Sequence, residues 1–565
     1  MTAVDRATCD VLVIGAGAAG LCAALAAREA SASVLIASVT APHTGSTTTI
    51  TQVAGAFLAA AAGVADPCDS PELHLEDTIE ASRGLAERAL VEHRVSRIVP
   101  FLPTLERYGV DFSRTDEGRW LQFHSPGHRH PRTLAFGPAK GVSLARTLAT
   151  ASTRAGAQSL PGLVVTDLLK VDGQVAGAVG WDVGRGRAVA ITAGAVVLAS
   201  GGAGLCYPRT GLPRATAGAG FGLALAAGCT LIDMEFVQWY PTALAEPGEP
   251  AHLVHYDTLL RHGAVFRTAD GDDLLDGVTR DARRGITRDD MSRHIAQARM
   301  RRTLADPRIL VDLSRCRPLD DHPVLRASPY ASLLRERVGK PAGGLWVSPA
   351  AHYYMGGVVV NADGATEMPG LFAAGEVTGG LFGANRLEGN ALTDCVIGGH
   401  QAGRSAAAWA RRDRPSARPA PAWREAPRRL DALHARRSGS RIADAIDELQ
   451  SALEDGAGLV RTAAGLARTQ SRLERLRVEC DELAAPDGQD AMHLAAFPHV
   501  LRAAESIVLA SLAREESRGA FLRGDFPEER ADGAATHVAV RLVDGRLVVE
   551  RRLVGTALPR PFAAD

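Results

Sequence analysis

None of the eight cysteines falls in a CxxC pair. That excludes the ligand spacing of structural zinc and of an iron–sulfur cluster, and it leaves no disulfide framework. Single, scattered cysteines fit a reducing, cytoplasmic setting. Charge of one sign is lacking as well. The chain carries 63 Lys and Arg against 64 Asp and Glu, so no global basic field marks a nucleic-acid binder. The one local exception, Arg404 to Arg437, reads as a solvated linker and helix face. The opening residues, MTAVDRATCD, carry no basic-then-apolar leader pattern. The longest apolar run near them, Ala54 to Gly63, is far short of the ~20 residues that span a bilayer. No direct membrane span is expected; membrane contact would need a partner.

What is present is a long chain with 46% hydrophobic and 22% charged residues, typical of a soluble globular protein. At 565 residues it exceeds one hydrophobic core, and roughly three or four domains are expected. DVLVI at 10–14 is a short apolar run of the kind a buried parallel strand shows. GAGAAG follows at 15–20, then the Ala-rich helical LCAALAAREA, then a second strand, SVLIAS, at 33–38. AVVLAS at 195–200 and GLFAAGEV at 370–377 read as further strands of the same sheet. The more polar stretch from about 240 to 345 reads as an insertion. DRPSARPAPAWREAP, residues 413–427, is a Pro/Ala-rich linker. A glycine-poor helical region covers about 427–520, and THVAVRLVDGRLVVERRLV is a hairpin around Asp-Gly.

Gly15, Gly17 and Gly20 fit GxGxxG with a strand before and a helix after. The first permits a tight turn, the second lets a pyrophosphate approach the backbone, and the third lets helix and strand pack closely. The acid that usually meets the ribose about twenty residues on is absent. The second strand ends at Ser38, and the hydroxyl-rich TAPHTGSTTTITQ follows. Far downstream, HYYMGG begins at His352 and GANRLEGN ends at Asn390. A histidine, tight glycine turns and an arginine in close succession are an odd set for a packed core.

These stretches resemble one family, the flavoprotein subunits of succinate dehydrogenase and fumarate reductase together with L-aspartate oxidase. The resemblance runs through Ser46 to Gln52, LASGGAG at 198–204, DMEFVQWYPT at 233–242, TRDDMS at 287–292, HYYMGG, GEVTGGLFGANRLEGNAL at 375–392 and REESRGAFLRGDFPEE at 514–529. It covers nearly the whole chain, in the family's order. It implies an α/β FAD-binding Rossmann-like domain with an inserted α+β capping domain and a C-terminal helical domain. The expected bounds are 1–239 and 348–412 for the FAD domain, 240–347 for the cap, 413–427 for the linker, 428–530 for the helical domain, and 531–565 for the hairpin and tail. The FAD site it implies comprises Gly15, Ala16, Gly17, Ala18, Ala19, Gly20, Ser38, Gly45, Ser46, Thr47, Gln52, Glu376, Asn390, Ala391 and Leu392. Thr47 stands where membrane-bound relatives carry a flavin-linked histidine, which implies non-covalent FAD; His43 is the nearest histidine. A family Asp that contacts the cofactor falls at Ala219.

The resemblance further implies that His352 and Arg386 bind a substrate carboxylate, for which a planar guanidinium fork is suited. It makes Arg288 the catalytic arginine, moving a proton at the carbon next to the one that exchanges hydride with the flavin. The bland alternatives are ion pairs of Arg386 with Asp394 or Glu388, and of Arg288 with Asp289 or Asp290. The family's dicarboxylate-binding His is here Tyr240, and the stretch gripping the distal carboxylate is not legible. His255, Tyr256 and Arg261 lie in that neighbourhood. A small carboxylate other than succinate or fumarate is thus admitted. L-aspartate-oxidase-like imine formation is a second reading, although the Met of HYYMGG and the spacing after GEVTGG look more like fumarate reductases. An electron-relay flavoprotein is a third. An iron–sulfur partner subunit or another electron donor or acceptor is compatible with each.

Overall fold

The computed structural model describes residues 5–50, 57–136, 140–301, 307–317, 325, 328–412, 422–436, 439–485, 488–530 and 535–554. Gln52 and residues 413–421 of the expected linker lie outside them.

The Val11–Ile14 end of the strand Asp5–Ile14 is apolar on both faces because both are covered. Val11 and Val13 enter one core, whereas Leu12 and Ile14 enter another, as in a parallel sheet with layers on either side. The sheet runs Gln158–Pro161, Val34–Ser38, Asp5–Ile14, Arg187–Leu198, Gln174–Asp182 and Leu163–Val171. The first four strands are parallel and the last two return antiparallel. Leu371–Ala373 adds alongside residues 196–198 in parallel. The three separated apolar runs are therefore neighbours in one sheet.

Helix Ala18–Glu29 crosses helix Asn390–Arg412 at close range. A Cβ at Gly399 would lie 2.3 Å from the Ala19 carbonyl, and one at Gly403 would lie 2.1 Å from that of Ala23. This crossing fixes the C-terminal half of the cofactor domain onto the N-terminal turn.

The insertion is built on an antiparallel sheet ordered Val237–Leu244, Gly344–Tyr354, Ile309–Asp312 and Val265–Thr268. The expected boundaries at 240 and 347 both fall inside its first two strands, which pair with each other. The reason is physical: the chain leaves and re-enters the parallel-sheet domain as adjacent strands, so no loop marks either crossing.

Residues 422–427 of the expected linker are helical, in Ala422–His434 with Pro427 inside it. The hairpin forms between Thr536–Val543 and Arg546–Leu553, and its first strand pairs with Leu231–Ile232. Within Gly488–Ala513, the stretch Asp490–Ala513 is long and apolar enough to cross a membrane, but 78% of its apolar window is buried, as in a core helix.

Candidate active site

The first half of the site is a cavity of about 160 Å³ over the glycine turn. Gly15 has φ +112°, and a Cβ there would meet the Ala199 carbonyl oxygen at 2.2 Å; a Cβ on Gly20 would meet the Gly15 carbonyl at 2.0 Å. These two glycines let strand and helix close on each other. Gly17 differs: an added Cβ meets only Thr48 Oγ1 at 3.7 Å and Ser46 Cβ at 3.9 Å, so it would fill ligand space. The helix N-terminus beyond it suits a phosphate charge. Ser200 Oγ, also on this wall, is buried without a hydrogen-bond partner among the described residues. A dinucleotide fits such a cradle.

Gly15, Ala16, Gly17, Ala18, Ala19, Ser38, Gly45, Ser46, Thr47 and Glu376 line this cavity. Gly20 is not on the wall; it packs behind the turn. Thr48, not singled out from sequence, accepts from the Ala18 N–H at 3.1 Å and holds the hydroxyl loop over the helix start. Burial pushes the Glu376 carboxyl up to about 7, although it accepts from Tyr354 N at 3.1 Å. Asn390, Ala391 and Leu392 begin the helix Asn390–Arg412 and are not on the cavity wall. The Asn390 side chain is occupied by His74 Nε2 at 2.8 Å and Thr78 Oγ1 at 3.0 Å.

The second half is a cavity of about 170 Å³ whose wall includes Tyr240, His255, Tyr256, Arg261, Arg288 and Arg386. The segment that resisted sequence alignment thus enters the site: His255 precedes the short helix Tyr256–Arg261 and brings it there. Gln238 and Tyr240, two apart on one strand, share a face. Gln238 locks Arg386 from both ends, accepting from its Nη2 at 3.0 Å and donating to its carbonyl oxygen at 3.0 Å. The Arg386 guanidinium lies 4.5 Å from the Tyr353 ring centroid. Its Nε is buried without a hydrogen-bond partner among the described residues. Asp394, the bland partner for Arg386, is taken by Arg94 at 2.9 Å.

Arg288 begins the helix Arg288–Arg301. Asp290 is engaged in a reciprocal cap, where Thr287 Oγ1 donates to its carboxylate at 2.6 Å and Asp290 N donates back at 3.2 Å. Asp289 accepts from Gln238 at 3.4 Å. Arg288 reaches elsewhere: Nη1 lies 3.3 Å from His352 Nε2, and Nη2 lies 4.0 Å from Glu388 Oε1. His352 is not on the cavity wall. It stands behind Arg288, edge-on to Tyr240 with ring centroids 5.3 Å apart. An arginine N–H can only donate, so His352 Nε2 accepts and the ring proton is on Nδ1.

The electrostatics follow from burial. Desolvation, then the charges of Arg288 and Arg386, push the His352 pKa well below its ordinary value, so the ring is neutral. Burial and Arg288 lower Arg386 to about 10, still a cation at neutral pH. For Arg288, burial acts downward, but Glu388, Tyr256 and Tyr240 outweigh it and raise the pKa. Burial raises Glu388 against the pull of Arg288, although its side chain keeps 28% of its surface exposed. Tyr240 is raised well above its usual value, chiefly by burial, and remains a neutral hydroxyl. Glu388, expected from sequence only as an alternative ion-pair partner of Arg386, lies beside Arg288 instead; Gln238 carried no expected role, and its one signal was proximity to Tyr240.

A glycine-turn cradle of the dinucleotide type and a second cavity walled by the guanidiniums of Arg288 and Arg386 define the class: a dinucleotide-cofactor protein with a separate cationic cavity. Residues 10–392 match the family described as FAD binding domain, and residues 446–555 match the fumarate reductase flavoprotein C-terminal family. The chain is 33% identical over 533 residues to a fumarate reductase (CoM/CoB) subunit of Methanothermobacter marburgensis, covering 93% of this chain and 95% of that one. It is 33% identical over 549 residues to an L-aspartate oxidase of Caulobacter vibrioides, with 95% and 96% coverage. Mycobacterium smegmatis Sdh1 in complex with UQ1 superposes with a TM-score of 0.87 at 29% identity, over 99% of this chain and 96% of that one. The chain belongs to the FAD-dependent flavoprotein family of fumarate reductase and succinate dehydrogenase subunits, of which L-aspartate oxidase is a related member.

Proposed function

We propose that the cavity at Arg288 and Arg386 binds a small carboxylate, and that Arg288 moves the proton that accompanies hydride exchange at the neighbouring carbon. FAD, when bound, supplies or takes up the hydride at the C–C bond. The observation that carries this reading is the Arg288 guanidinium, with 11% of its side chain exposed, on the cavity wall between a neutral His352 and Glu388. Arg386, held by Gln238, presents a fixed positive fork that binds the carboxylate and stabilises negative charge developing next to it. His352 holds Arg288 in position by accepting one of its N–H groups. An arginine is a poor acid unless another group replaces its proton. Glu388, partly solvent-exposed and close to Nη2, is placed to do so. Tyr240, His255 and Arg261 form the distal wall; a neutral hydroxyl at Tyr240 grips a second carboxylate less strongly than a cation does, whereas Arg261 favours one.

The test is a comparison of two assays on the purified protein. With a reduced low-potential dye under anaerobic conditions, an unsaturated mono- or dicarboxylate is expected to oxidise the dye catalytically. Oxygen uptake with L-aspartate, and no dye oxidation, would instead favour the amino-acid-oxidising reading, which the similarity to an L-aspartate oxidase supports. The identity of any iron–sulfur or other electron partner belongs to the same proposal, supported by the resemblance to fumarate reductase subunits.

We also propose that FAD is held without a covalent bond. Thr47 lines the cavity and offers no nucleophilic ring nitrogen, and His43 is not on its wall. Acid precipitation is expected to leave the yellow colour in the supernatant. Colour that stays with the pellet would contradict this.

A further inference from the structure

Dinucleotide folds usually meet the adenosine ribose with an acid at the end of the second strand. Here that position is Ser38, whose hydroxyl donates to the Thr40 carbonyl at 2.7 Å. The adenosine end of the cavity therefore offers a hydroxyl oxygen where such folds usually offer a carboxylate. Ser38 pairs in register with Pro161, so the chain that follows, Leu163 to Val165, lines the cavity beside that end. Helix Gly488–Ala513 is tied to the same strand by His499, whose Nε2 lies 2.7 Å from the Thr166 carbonyl oxygen. Further up this helix, Met492, His493 and Ala496 reach the cavity wall. His493 is only 8% exposed, and its Nε2 has no hydrogen-bond partner among the described residues. A buried ring nitrogen left this way is costly, and a polar group of a ligand would relieve it. Arg214 lines the same cavity.

We propose that His493, reaching in from the C-terminal helical domain, binds the adenosine half of FAD through a ribose hydroxyl or an adenine nitrogen, in place of the missing strand-end acid. Burial first, and the neighbouring Arg214 charge with it, lower the imidazole pKa against the opposing pull of Asp490. The neutral ring can donate or accept there. One consequence is that the helical domain, remote from the glycine turn in sequence, takes part in retaining the cofactor. The inference rests on the FAD assignment and is independent of which carboxylate the enzyme uses.

The experiment uses the full-length chain freed of flavin and titrated with three probes. Binding of FAD and of FMN is followed by flavin fluorescence, and ADP by calorimetry. His493→Leu is expected to weaken FAD and ADP by about tenfold, the scale of one lost hydrogen bond, and to leave FMN unchanged. His493→Gln, which keeps a donor and an acceptor, is expected to recover most of the loss. Equal weakening of FAD and FMN, or unchanged ADP binding in a folded His493→Leu protein, would overturn the proposal. If the leucine variant does not fold, ADP affinity in His493→Gln decides. Affinity near wild type, together with tenfold weaker ADP binding in folded His493→Ala, supports the contact. Unchanged ADP binding in His493→Ala overturns it.

Discussion

Arg288→Ala is expected to lower kcat by a factor of about 10²–10⁴, the usual contribution of a positioned acid or base, while ligand-induced shifts of the flavin spectrum persist. The guanidinium is needed where the proton moves, and an interaction used only in the transition state is read in kcat rather than in binding. The carboxylate keeps Arg386, whose fork is fixed by Gln238 independently of Arg288. Arg386→Ala should show the opposite order. In the proposed role its charge contacts the carboxylate in the ground state too, so affinity is expected to fall first, by roughly 2–5 kcal/mol where a buried charge loses its partner. Arg288→Lys retains a cation with a movable proton and should recover part of the rate. Ligand titrations and single-turnover flavin kinetics on the three variants separate these outcomes. Wild-type turnover in Arg288→Ala would move the proton route to Tyr240, Tyr256 or His255, which share the cavity wall.

The second large effect lies outside the site. Arg514→Ala is expected to destabilise the protein by about 3–5 kcal/mol, the cost of removing one partner from a buried ion pair. Arg514 is almost wholly buried and faces three carboxylates: Asp233 at 3.3 Å, Glu516 at 2.9 Å, and Glu235. It also donates to the Thr536 carbonyl at 2.9 Å. The cofactor domain, the helical domain and the hairpin therefore meet on one guanidinium. His537 extends the cluster, bonded to Asp233 and to Glu87 at 3.1 Å. Burial lowers its pKa, but Asp233 and Glu87 outweigh this and raise it from 6.5 to about 10. A raised histidine pKa stabilises fully below the unfolded value and loses that contribution as pH climbs to the folded one. Stability should therefore decline between pH 6.5 and about 10 in wild type, and less so in His537→Leu. Denaturant midpoints across that range measure both effects. A midpoint of Arg514→Ala equal to wild type would show that the cluster contributes nothing net.

The parts of the fold legible in the sequence were those with local patterns. DVLVI followed by GAGAAG announced strand, turn and helix, because backbone closure at Gly15 and Gly20 leaves no room for a side chain. Asp544-Gly545 announced the hairpin. The insertion boundaries were not legible, since residues 240 and 347 sit within paired strands that carry no turn chemistry. The linker is shorter than its composition suggests, because Pro/Ala content hid a helix that starts at Ala422. In the site, Arg288 and Arg386 stood out by motif. His352 stood out by motif as well, as a carboxylate ligand; that it lies against Arg288 and off the cavity wall is decided by tertiary packing. Arg261 and His255 are brought to the wall by a short helix with no signature, and His493 comes from a core helix read only as apolar. Asn390 was placed by motif, yet its side chain is committed to His74 and Thr78.

The measurement that bears most directly on the proton role of Arg288 is an anaerobic single turnover. The FAD-loaded protein is chemically reduced, freed of excess reductant, and mixed in a stopped-flow instrument with a panel of unsaturated mono- and dicarboxylates. At least one is expected to restore the oxidised flavin band in one exponential phase, which slows in deuterated solvent and slows much further in Arg288→Ala. Reduced flavin that persists with every carboxylate, or recovers at the same rate without Arg288, would contradict that role.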